Sequence, residues 1–416
     1  MIVALLSTSS FIKRYRIKAM LTICFVFSCL ALNAQSWIQV ADFPAEERDD
    51  GTSFIIGSKA YCGTGFKVGW SATRDFYAFD MNSETWSAIA AMPAGKERQY
   101  ASGFSNNNKG FVFGGLKGNN YLNDLWMYDP SQNEWKEKTS LPSMGRRGCI
   151  SFVIDNIAYF IGGRTMNDLA INEVWAYDMS ADSWQQKSDF PFGARYRGSG
   201  AASNDKGYLI FGTDENEHFH NELYEYNPSA DTWSLLSVFP GNGRTHSSLN
   251  RLSNKLVVMG GMDSISNYAD DIWRYNLDLS TWEALDVLPA IGRRGGMSFN
   301  DGTSLFYAAG IDPQNIRLKE TWKYVNALST HQFPEQKPIV KIYPNPSNDI
   351  LNLELENCSS HQKIVFSVLD CLGKEILQEE ITQSKTQIVL SGLPKGIYTL
   401  NILNREHTNQ MKFVKL

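Results

Sequence analysis

The sequence predicts an all-β chain: a closed ring of six four-stranded sheets, followed by a small β-sandwich of immunoglobulin-like type. Three observations predict it. Tryptophan stands at 37, 86, 135, 184, 233 and 282, each 49 residues after the last. Prolines 44, 93, 142, 191, 240 and 289 follow in register, and glycine marks each unit at 63, 114, 162, 212, 260 and 310. After Val325 the period fails, and from 339 short apolar-polar alternations take its place. A fixed period of this length is the mark of a propeller or a solenoid.

Each unit divides into four strands separated by turn residues, as in "GCISFVID", "IAYFIGG", "EVWAYD" and "SWQQKS" of the third. Four short strands cannot bury both of their faces alone, so the units stack as blades around an axis. The aromatics nine residues before each later tryptophan, Tyr77, Trp126, Trp175, Tyr224 and Trp273, belong to third strands, and the row continues to Trp322. Trp37 precedes the first glycine marker, whereas His331 stands where a seventh tryptophan is due. The start of the chain is therefore expected to supply the last strand of blade six, which removes the open edge.

The N-terminus "KRYRIKAMLTICFVFSCLALNAQS" has the basic stretch, apolar run and small residues of a signal peptide over 1–34, with cleavage expected between Ala34 and Gln35. Translation from Met20 would suit it better, and lipidation at Cys29 is disfavoured by Phe27. The apolar run is short for a membrane span, so no transmembrane segment is expected in the mature chain. A net charge of -5 with no concentrated basic segment argues against nucleic acid. Cys62, Cys149, Cys358 and Cys371 show no metal-ligand spacing.

The ring, 36–326, resembles the Kelch family, whose repeat carries a double glycine, an aspartate and aromatic pair, and a tryptophan. "FVFGG", "NDLWMYDP", "NEW" and "LPSMGRR" show the pattern, while "GTG", "GT" and "AAG" depart from it at Gly63, Gly212 and Ala308. After a polar linker, 327–338, residues 339–416 resemble the C-terminal sorting domain of type IX secretion found in Bacteroidota. "YPNPSNDILNL", "LPKGIYTLNI" and the closing "MKFVKL" carry that resemblance. It implies recognition by the type IX machinery, export across the outer membrane, removal of the domain, and release or anchoring at the cell surface.

Antiparallel parity puts the loops after strands two and four on one face. Two rows of charge recur there. Arg48, Arg146, Arg195, Arg244 and Arg293 follow each proline by four residues, with Glu97 in register in the second unit; Asp75, Asp124, Glu173, Glu222, Asp271 and Glu320 precede the third-strand aromatics by two. One carboxylate per unit, matched by an arginine, predicts structural ion pairs of bidentate geometry. Function is expected where the repeat breaks: Arg98, Arg147, Arg164, Arg197 and Arg294, with Trp70, Tyr100, Tyr196 and His246 among them. Guanidinium forks for an anion and aromatic rings for apolar faces suit a carboxylate-bearing glycan or an acidic peptide. This makes the propeller a binding module for a glycan or protein ligand.

The alternative is a sugar-acting enzyme on the same face. For a copper radical oxidase resembling galactose oxidase, Cys62 and Cys149 lie beside no ligand cluster. For a six-bladed Kelch mutarotase of sialic acid, the loops after the glycine pairs lack long insertions. His218 and His220 in "ENEHFHNE", with His246 in a neighbouring loop, raise a metal question, but a loop fixes no geometry for them. No catalytic residue, metal or cofactor is assigned from sequence.

Overall fold

The structure, a computed structural model, describes residues from Ser36 onward apart from 107, 168, 204, 326, 328–338, 357–363, 371–372, 382–384 and 404–407. The signal segment with Ala34 and Gln35, and 328–338 of the linker, lie outside the described residues. Strands alone make up the regular structure of the described residues. They form two compact units, one ending at Leu328 and the other beginning at Ser329.

The first unit is a six-bladed propeller. Blade 1 runs through Thr52–Ile56, Lys59–Gly63, Phe76–Asp80 and Thr85–Ala88, antiparallel in that order. Blades 2 to 5 begin at Ser102, Ile150, Ser199 and Ser248 and repeat the same order of four. Blade 6 takes Met297–Asn300, Leu305–Ala308 and Thr321–Tyr324 from the end of the unit and Trp37–Val40 from its start, with Trp37 opposite Tyr324. The first strands of successive blades touch around a closed circuit, that of blade 6 meeting that of blade 1. They surround the axis.

Apolar clusters fill the spaces between blades. Phe54, Tyr61 and Phe76 of blade 1 pack with Val112, Trp126 and Tyr128 of blade 2, and Phe79 of blade 1 meets Phe299 of blade 6 at 5.5 Å. Gly110 and Gly207 serve this packing: a Cβ at either would fall on the rings of Phe54 or Phe152 of the preceding blade. Fourth-strand tryptophans stitch neighbours directly. The indole N–H groups of Trp86, Trp135 and Trp184 donate to the carbonyls of Ala41, Ala90 and Thr139 at 2.7–2.8 Å, each in the blade before. Trp37 does the same to Asp286 of blade 5 at 3.1 Å. It thus takes the place of a sixth-blade tryptophan in bonding as well as in register.

The double glycines have a backbone role. The second of each pair, Gly65, Gly115, Gly163, Gly212, Gly261 and Gly310, has φ between 95° and 104°, a region that side chains strongly disfavour. In five blades its amide donates to the carbonyl of the next blade's row arginine, as from Gly65 to Arg98 and from Gly310 to Arg48. The first position tolerates Thr64, Phe211 and Ala309 at φ of 56–67°. This corrects the register of the glycine markers: Gly65, rather than Gly63, is the equivalent in blade 1, and the blades that depart from a pair keep the member that matters.

The second unit is a sandwich of two antiparallel sheets. One orders Ile339–Tyr343, Ile350–Glu356 and Lys385–Val389; the other orders Glu375–Ile381, Ile364–Leu369, Gly396–Leu403 and Thr408–Lys415. Leu351, Leu353, Phe366, Val368, Leu400 and Phe413 lie in its core. No helix of the described residues is long and apolar enough to cross a membrane.

Replacing the closing tryptophan tests the ring. Trp37→Ala removes a buried side chain and its interblade hydrogen bond, and is expected to cost about 3–5 kcal/mol in chemical denaturation. An unchanged midpoint contradicts closure through this strand.

Candidate functional site

The two charge rows meet between the loops, as their spacing suggested, but with local differences. Arg48 grips Asp75 with both Nη atoms at 2.7 and 2.9 Å. Arg146, Arg244 and Arg293 reach Glu173, Asp271 and Glu320 through one nitrogen at 2.6–2.7 Å. The indole N–H groups of third-strand tryptophans 126, 175, 273 and 322 donate to the same carboxylates at 2.8–3.1 Å, each to an oxygen that the arginine also bonds. In blade 4 no ion pair joins Arg195 to Glu222 among the described residues. There the third-strand aromatic is Tyr224, Glu222 Oε2 lies 3.5 Å from His220 Nδ1, and the Arg195 guanidinium lies over the rings of Phe190 and Tyr224.

Arg98 requires a correction. Proposed from sequence as a ligand contact, it is fully buried and bidentate to Asp124 at 2.8 and 3.0 Å. One extra residue follows Pro93, so Arg98 is the row member of blade 2, and Glu97 turns outward to Lys117 and Arg74.

Two residues beyond each row arginine the chain reaches the axis. Asp50, Tyr100, Gly148, Arg197, His246 and Gly295 occupy this position in the six blades, all with φ between 55° and 65°. Their backbones are joined head to tail. Tyr100 N–H donates to Asp50 C=O, Gly148 to Tyr100, Arg197 to Gly148, His246 to Arg197, Gly295 to His246 and Asp50 to Gly295, at 2.7–3.1 Å. The result is a closed collar of six hydrogen bonds.

A left-handed conformation costs a non-glycine residue about 1–2 kcal/mol, so a collar built for stability alone would use glycine throughout. Four of the six positions carry large polar side chains instead. They converge: Tyr100 and His246 are 5.9 Å apart between ring centroids, His246 Nε2 is 3.8 Å from Asp50, and Tyr100 lies beside Asp50. Arg197 lies over the Tyr100 ring at 4.5 Å and Arg147 over it at 5.0 Å. Arg294 stands 3.7 Å from Asp50 and 3.8 Å from Asp49, while Arg317 holds Asp49 at 2.6 Å.

Comparison with known proteins places this architecture. Residues 20–191 match a model described as the KLHDC2/KLHL20/DRC7 Kelch-repeats domain, and 138–294 match one described as the Attractin/LZTR1 beta-propeller. Residues 341–416 match the secretion system C-terminal sorting domain. The chain is a Kelch-repeat β-propeller protein with a C-terminal sorting domain. That domain directs export by type IX secretion to the cell surface or the extracellular space. The propeller is similar to the solved structure titled "Structure of YjhT", with a TM-score of 0.59 and 20% identity over 68% of this chain and 95% of that one. This likeness concerns the fold. No curated protein matches the chain.

The electrostatics of the Kelch collar are set by burial. Desolvation, with the neighbouring Asp49 charge, raises Asp50 to about 7 against the opposing pull of Arg294 and Arg197. Burial and then the guanidiniums of Arg197, Arg294 and Arg147 hold His246 well below its usual value, so its ring is neutral near pH 7. Burial and Asp50 lift Tyr100 to about 12. The guanidiniums of Arg147, Arg197 and Arg294 lie over tyrosine rings, and Arg294 Nε also donates to the Tyr268 hydroxyl at 3.3 Å. Arg147 Nε, Arg197 Nε, Arg294 Nη1 and His246 Nε2 are buried atoms with no hydrogen-bond partner among the described residues.

Of the residues singled out from sequence, Arg147, Arg197, Arg294, Tyr100 and His246 therefore meet at the axis. Arg164 donates to the Tyr196 hydroxyl at 2.8 Å, and Arg197 also lies over that ring. Trp70 is 70% exposed at a hairpin tip, with Arg317 stacked on it at 4.8 Å. His218 and His220 face each other near Glu222, and burial with Arg195 keeps His220 neutral, at about 4. No group of three or more His, Cys, Asp or Glu among the described residues is placed to hold a metal ion. A cleft of about 470 Å³ on the rim of blade 1 is lined by Glu46, Lys67, Arg48, Asp75, Arg74 and Glu97, all of them ion-paired. It offers no unpaired group. Asp50 and Asp49 were missed from sequence; the signal was a non-repeating residue at a repeated position, two after the row arginine.

The row and the collar predict opposite stability effects. Arg98→Ala strands buried Asp124 and is expected to cost about 3–5 kcal/mol, whereas Arg197→Gly relieves a strained φ of about 1 kcal/mol, partly offset by glycine's freedom when unfolded. Thermal unfolding checks both; a large loss for Arg197→Gly contradicts the collar argument. The pH dependence has a fixed sign. Folded Asp50 holds its proton up to about 7, against 3.8 as the ordinary value, so its contribution to stability is full below pH 4 and lost as pH rises to 7. His246 acts oppositely in wild type, being neutral when folded. The difference in melting temperature, Asp50→Asn minus wild type, is therefore expected to grow more positive from pH 4 to 7, and a flat difference contradicts the assignment.

Proposed function

We propose that this exported propeller is a binding module whose axial mouth takes the carboxylate of an acidic glycan. The observation that carries the reading is the set of guanidinium N–H edges at the collar that are buried and unpartnered. A buried donor without a partner costs about 1–3 kcal/mol, and an anion arriving there recovers it. Tyr100, Tyr121 and Tyr268 around the mouth supply rings of the kind that sugar C–H groups pack against. The charge is local, against a chain of net -5, so recognition rests on a few aimed groups rather than on a general basic field. Within this reading the sorting domain serves delivery, engaging the type IX machinery of a Bacteroidota-type cell and being removed after export.

Binding of acidic and neutral oligosaccharides to the purified chain tests the proposal. A hexuronate oligosaccharide is expected to bind saturably and its neutral counterpart at least tenfold more weakly. Arg147→Ala and Arg294→Ala should each weaken the acidic ligand by about 10-fold or more, as for loss of a charge-assisted hydrogen bond. Equal binding of an acidic peptide with no response to the glycan would move the ligand class to protein.

A second reading, a sugar-acting enzyme at the same place, draws on the nearness of Asp50, Tyr100 and neutral His246, an acid and a base within reach of one bound group. Exchange of anomeric signals of a free hexuronate, accelerated by wild type and not by Asp50→Asn, would favour it.

A further inference from the structure

We infer that Asp50 is a built-in stand-in for the ligand's carboxylate, and that an acidic glycan end seats at the collar together with one proton that neutralises Asp50. The inference rests on the acidic-glycan reading above and specifies how the site is controlled. Three features of the geometry support it.

The seat is recessed. The side chains of Asp50 and His246 are 3% and 4% exposed, so a group that reaches them must come in along the axis. A carboxylate in the middle of a polymer would have to bring its chain down the axis with it, whereas one at a chain end would not. Asp50 is also poorly matched to its own cations. Asp49 beside it is held by Arg317 at 2.6 Å, but the Arg294 contact to Asp50 is 3.7 Å, beyond hydrogen-bond distance. Arg197 Nε and Arg294 Nη1 are left without acceptors. Asp50 thus holds the place of an anion without satisfying the donors around it.

Two ionised carboxylates cannot share such a seat, because like charges brought together in a buried site push one to its neutral form. Asp50 is the group that yields. The groups facing it are Asp49 on its own segment, Tyr100, Arg197, His246 and Arg294 from the loops around the collar, and more remotely Tyr307. Asp49 is locked in its ion pair, the tyrosines stay protonated near neutrality, the arginines stay charged, and His246 is already neutral. The balance is one ligand carboxylate and one proton taken up by ionised Asp50, whose new O–H is then a donor for the guest. Proton and anion bind with positive coupling, so affinity falls toward tenfold per pH unit above the point where free Asp50 ionises.

Calorimetry of the full chain with methyl β-D-glucuronide tests this, at pH 6 to 9 and in buffers of different ionisation enthalpy, with methyl β-D-glucoside as the neutral control. The expected result is a dissociation constant that rises toward tenfold between pH 8 and 9, with about one proton taken up per glucuronide at pH 8. Asp50→Asn should bind at pH 8 at least as tightly as wild type does at pH 6, with no uptake and no slope. Asp50→Gly, which suits the positive φ, is a second variant should the first fold poorly, and it should also lose the slope. Wild-type binding that is flat with pH and takes up no proton overturns this inference and leaves the glycan reading standing. Absence of glucuronide binding at every pH overturns both.

Discussion

The collar of six backbone hydrogen bonds, closed head to tail around the axis, is the constraint on which the rest of the structure depends. Each bond fixes a positive φ at one loop position per blade, and so fixes where the residues beside it project. Two residues earlier, the row arginine in five of the six blades has its side chain paired with its own blade's carboxylate, and in five blades its carbonyl takes an amide from the glycine of the blade before. Two residues later the innermost strand begins. A repeat of 49 residues is the sequence form of that geometry. Closure of the last blade by Trp37–Val40 lets the sixth collar bond, from Asp50 to Gly295, form like the other five.

The same side chain does two jobs one or two positions apart. Row arginines other than Arg195 are buried and matched to carboxylates, so their value is largely that of not being left alone: removing either partner strands a charge. Arg147, Arg197 and Arg294 share their loops with row members but stack on tyrosines and keep unpartnered N–H edges. Buried unpartnered nitrogens occur in both sets, at Arg146, Arg195, Arg244 and Arg293 as well as at Arg147, Arg197 and Arg294, so direction separates them: most row members face their own blade's carboxylate, and the others face the axis. The left-handed strain at Asp50, Tyr100, Arg197 and His246 points the same way, since glycine at 148 and 295 shows what the backbone alone would use.

The ring, its sixfold count and the paired rows were legible because each rests on a residue repeated at constant spacing. Trp37 could be assigned to blade 6 because an absence at 331 matched a surplus at the start. Arg98 was misread because a single inserted residue shifts the register, and side-chain pairing follows space rather than count. The failed pair at Arg195 goes with a neighbour particular to that blade, His220 beside Glu222, which no spacing reveals. Asp50 was hidden for a different reason: two adjacent aspartates look like a solvated turn until the collar turns one to Arg317 and the other to the axis.

The sorting domain directs the propeller to the cell surface or the extracellular space. In the proposed reading, that is where an acidic glycan would be met, and the collar would take its carboxylate at one recessed place rather than along a charged groove. A crystal structure of the chain soaked with a hexuronate oligosaccharide tests the central claim most directly. The account predicts the terminal carboxylate at the axis, within hydrogen-bond distance of Arg197 and Arg294 and beside Asp50, with the sugar against the surrounding tyrosines. Ligand density on the blade rim, with the collar unchanged, would contradict it.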